Sequence, residues 1–138
     1  MSLDYFPLKA IFRKHNFHPS KRLGQNFLVN KRALEKVVKA ASLRPDEIVL
    51  EIGPGPGNLT LELAKRVKKV IAVEKDPKMA EILKETTKDF KNVKIIQGDI
   101  LKILNSKFPP DFACERSRWR AGQTRWRAGI IQSSYKVV

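Results

Sequence analysis

Three glycines at alternate positions, Gly53, Gly55 and Gly57 in EIGPGPG, define a loop whose backbone can approach a ligand closely. Glu51 stands two residues before the loop, Glu74 closes the run KVIAVE, and Asp99 follows VKIIQG. A carboxylate at the position of Glu74 can accept hydrogen bonds from both hydroxyls of a ribose, and one at Asp99 can receive the amino group of an adenine. The glycines follow G-x-G-x-G and not the dinucleotide pattern G-x-G-x-x-G. A pyrophosphate favours donors and a helix dipole with no acid beside it, whereas sulfonium and ammonium groups tolerate a neighbouring carboxylate such as Glu51. On charge, the ligand reads as S-adenosylmethionine, with NAD second.

The elements that must position these groups are legible in the spacing of apolar residues. Residues 47–52, EIVLEI, read as a buried strand that runs directly into the glycine loop. A helix over 58–67 turns Leu59, Leu63 and Val67 inward, and 69–74 is a second strand. Asp76 and Pro77 form an N-cap and first-turn pair for a helix to about residue 88, with Met79, Ile82 and Leu83 inward, and 93–97 is a third strand. Upstream, Leu8, Ile11 and Phe12 share one face of a short helix over 7–16. Asn30 caps a helix over 31–42 that buries Leu34, Val37, Val38 and Ala41. His15 and His18 are assigned to helix termination or solvent, because no third ligand accompanies them. Strand, helix, strand, helix, strand with short connections is a right-handed parallel unit of an α/β, doubly wound fold. Its strand ends place Glu51, Glu74 and Asp99 along one crevice.

Composition narrows the class. The 138 residues suffice for one domain with a hydrophobic core, and the net charge of +14, from 28 basic and 14 acidic residues, suits a polyanionic partner such as nucleic acid. Individual lysines between Lys65 and Lys102 read as solvated helix faces beside Glu81, Glu85 and Asp89. A single cysteine, Cys114, excludes an internal disulfide framework and a cysteine-based zinc site. No apolar run approaches the length of a membrane span and the N-terminus lacks a signal peptide's core, so a soluble, cytoplasmic protein is expected.

The segment LKAIFRKHNFHPSKRLGQNFLVN, followed by VLEIGPGPGNLT, VIAVEKD and IIQGDIL, resembles the ribosomal RNA adenine dimethyltransferases of the KsgA type, with the erythromycin-resistance methyltransferases as near relatives. The resemblance covers residues 8–103. It implies a Rossmann-like S-adenosylmethionine-dependent methyltransferase fold, truncated here after the third strand, and small-subunit ribosomal RNA as the partner. Carried over by position, Gln25, Asn26 and Leu28 resemble the segment that folds over the methionine end of the cofactor, with Gly53, Gly55 and Gly57 beneath it. Glu74 and Lys75 resemble the ribose and adenine-side residues, and Asp99 with Ile100 the adenine-binding pair.

In this family an Asn-Leu-Pro-Tyr-like motif at the end of a fourth strand aims the adenine amino group at the methyl donor. No such motif follows Asp99: residues 105–108, Asn-Ser-Lys-Phe, lack the proline and the tyrosine. Patterning fails after residue 107, and RSRWRAGQTRWRAG states the unit RWRAG twice. Three regions follow: 1–30, an N-terminal helix and cofactor-covering segment; 31–107, the cofactor-binding core; and 108–138, a basic tail that reads as frame-shifted or vector-derived. The chain is expected to bind the cofactor without transferring methyl groups by itself. The alternative is a non-catalytic RNA- or DNA-binding module on the same core. Losing the fourth strand would expose the first strand as an apolar edge, so residues 130–138 are expected to pair there, within the chain or by exchange in a homodimer.

Overall fold

The computed structural model describes residues 8–19, 27–28, 30–105 and 131–132. Its elements are α1 (Leu8–Lys14), α2 (Lys31–Ala41), β1 (Ile48–Ile52), α3 (Asn58–Ala64), β2 (Lys69–Glu74), α4 (Pro77–Thr86), β3 (Val93–Gln97), α5 (Ile100–Asn105) and β4 (Ile131–Gln132). The strands lie in the order β3-β2-β1-β4, all parallel. Residues 131–132 pair with Glu51 and Ile52, so the edge of β1 is met within the chain, as the apolar character of that strand requires. The cofactor-covering positions Gln25 and Asn26, and the RWRAG repeat, lie outside the described residues.

Local chemistry sets the helix boundaries. The Asn30 side chain accepts the Ala33 N–H at 3.1 Å, capping α2, and Ser42 ends that helix in the left-handed conformation. Asp76 caps α4 by accepting from Lys78 at 2.9 Å and Met79 at 3.4 Å, with Pro77 at the first helical position. The regular part of α3 stops at Ala64, short of the expected end, yet Val67 stays buried in the cluster with Leu59 and Leu63.

Alternation along the strands sends each residue to one face or the other. Val49 and Val70 meet Leu34 and Val38 of α2 and Leu59 and Leu63 of α3 on one face. Ile48 and Ile71 meet Leu50, Ile96 and Ile103 on the opposite face, so α5, which the sequence reading did not assign, covers that side. A third cluster joins Ile11 and Phe17 to Met79 and Ile82, docking α1 on α4.

The glycine loop is held between α4 and the sheet. Gly57 has φ +97°, and a Cβ there would stand 2.8 Å from Leu83 Cδ1 and 2.9 Å from Thr86 Oγ1. Both the backbone conformation and the contact demand glycine. A Gly57→Ala change is expected to destabilise the protein by roughly 2 to 4 kcal/mol. An unchanged midpoint in urea denaturation would show that the loop and α4 are not packed in this way.

Candidate functional site

The register of β1 on β2 pairs Glu51 with Ala72, which puts Glu51 and Glu74 on the same face at the carboxyl ends of neighbouring strands. Both are buried, Glu51 completely and Glu74 to 7% exposure. Asp99 follows β3 in the same row.

Glu51 faces α3. Its Oε2 accepts the Thr60 hydroxyl at 2.7 Å, while its Oε1 has no hydrogen-bond partner among the described residues. Burial pushes its carboxyl up to about 7, the Thr60 hydrogen bond pulls in the opposite direction, and the charge of Glu74 adds to the rise. Glu74 is also raised by burial, against the backbone N–H groups of Asp76 and Gly55 that favour its ionised form. Those groups donate to Oε1 at 2.9 Å and to Oε2 at 3.2 Å. One carboxylate therefore ties the glycine loop to the start of α4.

Gly53 N–H donates to the Val73 carbonyl at 2.9 Å and has φ +67°, which turns the chain away from the sheet immediately after β1. At Gly55, a Cβ would meet the Phe27 ring at 3.1 Å, so the segment before α2 lies directly on the loop. The next carbonyl along that segment, of Leu28, accepts the Asn58 side-chain amide at 3.1 Å. Leu28 thus lies beside the loop.

Asp99 has two partners. Its Oδ2 lies 3.0 Å from Lys75 Nζ and its Oδ1 accepts the Leu101 N–H at 3.0 Å, which caps α5 behind Ile100. The Lys75 ammonium, chiefly, holds the Asp99 carboxyl below the usual range. The site therefore collects Leu28, Glu51, Gly53, Gly55, Gly57, Glu74, Lys75, Asp99 and Ile100. Sequence reasoning missed Thr60, Phe27 and Asn58. Only Asn58 left a readable signal, as the polar residue that starts α3.

A row of acids on three parallel strand ends around a left-handed glycine loop, with α3 and α4 packed behind it, is the Rossmann-like methyltransferase architecture. The 23S rRNA methyltransferase ErmE is similar in structure at TM-score 0.54 and 32% identity, covering 68% of this chain and 42% of that one. A dimethyladenosine transferase from Plasmodium falciparum is similar at TM-score 0.54 and 36% identity, covering 61% and 30%. Residues 15–115 match the family of ribosomal RNA adenine dimethylases, and the chain belongs to that family. It is 47% identical over 95 residues to ribosomal RNA small subunit methyltransferase A of Alkaliphilus metalliredigens, across 69% of this chain and 33% of that protein. The chain spans about a third of the length of the curated relatives it matches.

The buried Glu51 carboxyl makes stability depend on pH. Its midpoint is near 7 in the folded chain and 4.5 ordinarily, so the folded state holds the proton more tightly than the unfolded state. Folding is then weakened as pH rises from about 4.5 to 7, by on the order of 3 kcal/mol from this group. Glu51→Gln removes the titration, and its stability relative to wild type is expected to improve as pH is raised from 5 to 8. Denaturant curves showing a pH-independent difference would refute a proton on buried Glu51.

Proposed function

We propose that this chain carries the S-adenosylmethionine-binding portion of a ribosomal RNA adenine dimethyltransferase whose substrate is small-subunit ribosomal RNA. The observation that carries the reading is the row of Glu51, Glu74 and Asp99 at the carboxyl edge of the sheet around Gly53, Gly55 and Gly57. Family membership and the relatives' names supply the RNA class.

The residues fit such a cofactor chemically. Glu51 offers a buried, unshared carboxyl oxygen to a cationic group. Glu74 retains acceptor capacity for ribose hydroxyls beyond the two N–H groups it takes, because a carboxylate has about four acceptor positions. Both Asp99 oxygens are engaged, by Lys75 and by the Leu101 N–H, but each keeps a second acceptor position that can take an adenine amino hydrogen. Phe27 and Leu28 lie on the loop. When bound, the cofactor supplies an electrophilic methyl group on its sulfonium. The chain's own part is to hold the two ends of that molecule and keep water from it.

Methyl transfer to adenine makes a further demand, since the amino nitrogen attacks well only when acceptors hold its hydrogens in line with the sulfonium. The Asn-x-Pro-Tyr pattern that meets this demand in the family is not found after Asp99. The chain is therefore read as a cofactor-binding unit without transferase activity of its own.

Asp99→Ala is expected to weaken S-adenosylmethionine binding about tenfold or more, the usual effect of losing a hydrogen bond to a charged acceptor. Calorimetry on the full chain giving equal affinities would remove Asp99 from the site. RNA binding that falls steeply with salt while the cofactor neither binds nor matters would favour the nucleic-acid-binding module, to which the charge of +14 is suited.

A further inference from the structure

Thr60 and Glu51 are each wholly buried, and the threonine hydroxyl donates to the carboxyl oxygen Oε2 at 2.7 Å. A helical threonine can satisfy its hydroxyl on a carbonyl of its own helix. Thr87, just beyond α4, does so by bonding the Leu83 carbonyl at 2.7 Å, whereas the Thr86 hydroxyl lies 3.0 Å from that carbonyl and 2.8 Å from the Pro56 carbonyl of the glycine loop. Thr60 instead directs its proton across to β1. The bond consumes one oxygen of Glu51 and leaves Oε1 as a buried acceptor without a partner among the described residues.

The charges around Glu51 give no other reason for it to be ionised. Glu74, on β2, repels it. Glu62, on α3, is engaged at the surface by Lys65 and Arg66. Asp76, at the start of α4, caps that helix, and β4 contributes Ile131 and Gln132, which carry no charge. Lys31, Arg32, Lys36 and Lys39 of α2 are exposed, and among the described residues no cation pairs with Glu51. Among the described residues, the Thr60 hydroxyl is thus the one neighbouring group that favours the carboxylate.

We propose that Thr60 is a positioning residue for the ammonium end of the cofactor: its hydroxyl fixes one oxygen of Glu51 and keeps the other available, as a carboxylate, to accept from that ammonium. The inference rests on the S-adenosylmethionine reading of the crevice. An arriving ammonium completes the hydrogen bonding of a group that folding leaves half satisfied. Without the hydroxyl, Glu51 takes up its proton more readily, and the ligand must displace that proton in order to bind.

The test uses the full chain with Thr60→Val, which keeps the shape and removes the donor, and Thr60→Ser, which keeps the donor. S-adenosylhomocysteine, which retains the ammonium group, is titrated by calorimetry from pH 6.5 to 8.5. The Glu51 carboxyl is followed by NMR in glutamate-labelled protein, with Glu51→Gln used to assign its signal. Thr60→Val is expected to raise the Glu51 midpoint by about one unit or more. It is also expected to lower affinity about tenfold at pH 6.5, with most of the loss recovered by pH 8.5, while Thr60→Ser follows wild type.

A loss of affinity that is the same at every pH, or that Thr60→Ser shares, would mark a packing defect and overturn the proposal. A shifted Glu51 midpoint with unchanged affinity would also overturn it, while leaving the cofactor reading intact. Wild-type protein that binds no S-adenosylhomocysteine would overturn the cofactor reading itself and the proposal with it.

Discussion

The rest of the site depends on the burial of two carboxylates, Glu51 and Glu74, on one face of adjacent parallel strands. Taking a carboxylate out of water costs several kcal/mol unless hydrogen bonds replace the solvent, and here two such groups also repel each other. Glu74 is satisfied by the backbone of the elements it must organise, through the N–H groups of Gly55 and Asp76. Glu51 is satisfied only in part, by Thr60. The unequal treatment divides their roles. Glu74 fixes the loop and the entry to α4, whereas Glu51 keeps an oxygen whose hydrogen bonding the fold does not complete. A fold gains nothing in stability from leaving such a group half satisfied.

The N-terminal segment is held to this site by packing more than by charge. Phe12 stacks obliquely against Phe17 and Phe27 with ring centroids 5.1 and 5.3 Å away, and Phe27 in turn covers Gly55. Ile11 and Phe17 are buried against Met79 and Ile82 of α4. Glu85 accepts from Lys14 at 2.6 Å and lies 2.7 Å from His15 Nε2, but these groups are partly solvated, and exposed pairs contribute little stability. Their effect is to choose the rotation of α1 on α4 while the apolar contacts supply the attraction. Because α4 also carries Leu83 and Thr86 against Gly57, α1 and the loop are referred to one helix.

Much of this arrangement was legible in the sequence, for reasons that differ between parts. Strands 69–74 and 93–97 and the caps at Asn30 and Asp76 follow from local patterning, which the structure reproduces. The acids could be placed at strand ends, but their common face could not, because it depends on the register that pairs Glu51 with Ala72. Thr60 and Phe27 carry no local signature: threonine within a helix and phenylalanine in a loop are ordinary, and their meaning arises only when α3 meets β1 and residue 27 meets residue 55. His15 was assigned no role, since its partner Glu85 is distant in sequence. Helix α5 was overlooked because ILKILN is six residues long, too short for a periodic signal, and its start is fixed by Asp99, an acid that reads equally as a cap or as a ligand contact.

The position of the crevice follows from where the chain changes direction across the sheet. From β1 through β2 to β3 each connection moves one strand outward in the same sense, and α3 and α4 are the two crossovers. After β3 the helix α5 appears on the opposite face, with Ile103 against Ile48 and Ile71, and β4 pairs on the other side of β1. Connections that leave a strand pair toward opposite faces cannot fill the space above it, so a gap opens at its carboxyl end. Glu51 and Ile52 are the residues of β1 that pair with β4 and lead into the glycine loop, so the switch in direction falls at them. Among the described residues, the loop's left-handed turns therefore follow the strand at which the topology switches sides, and the half-satisfied carboxyl of Glu51 stands at the same point.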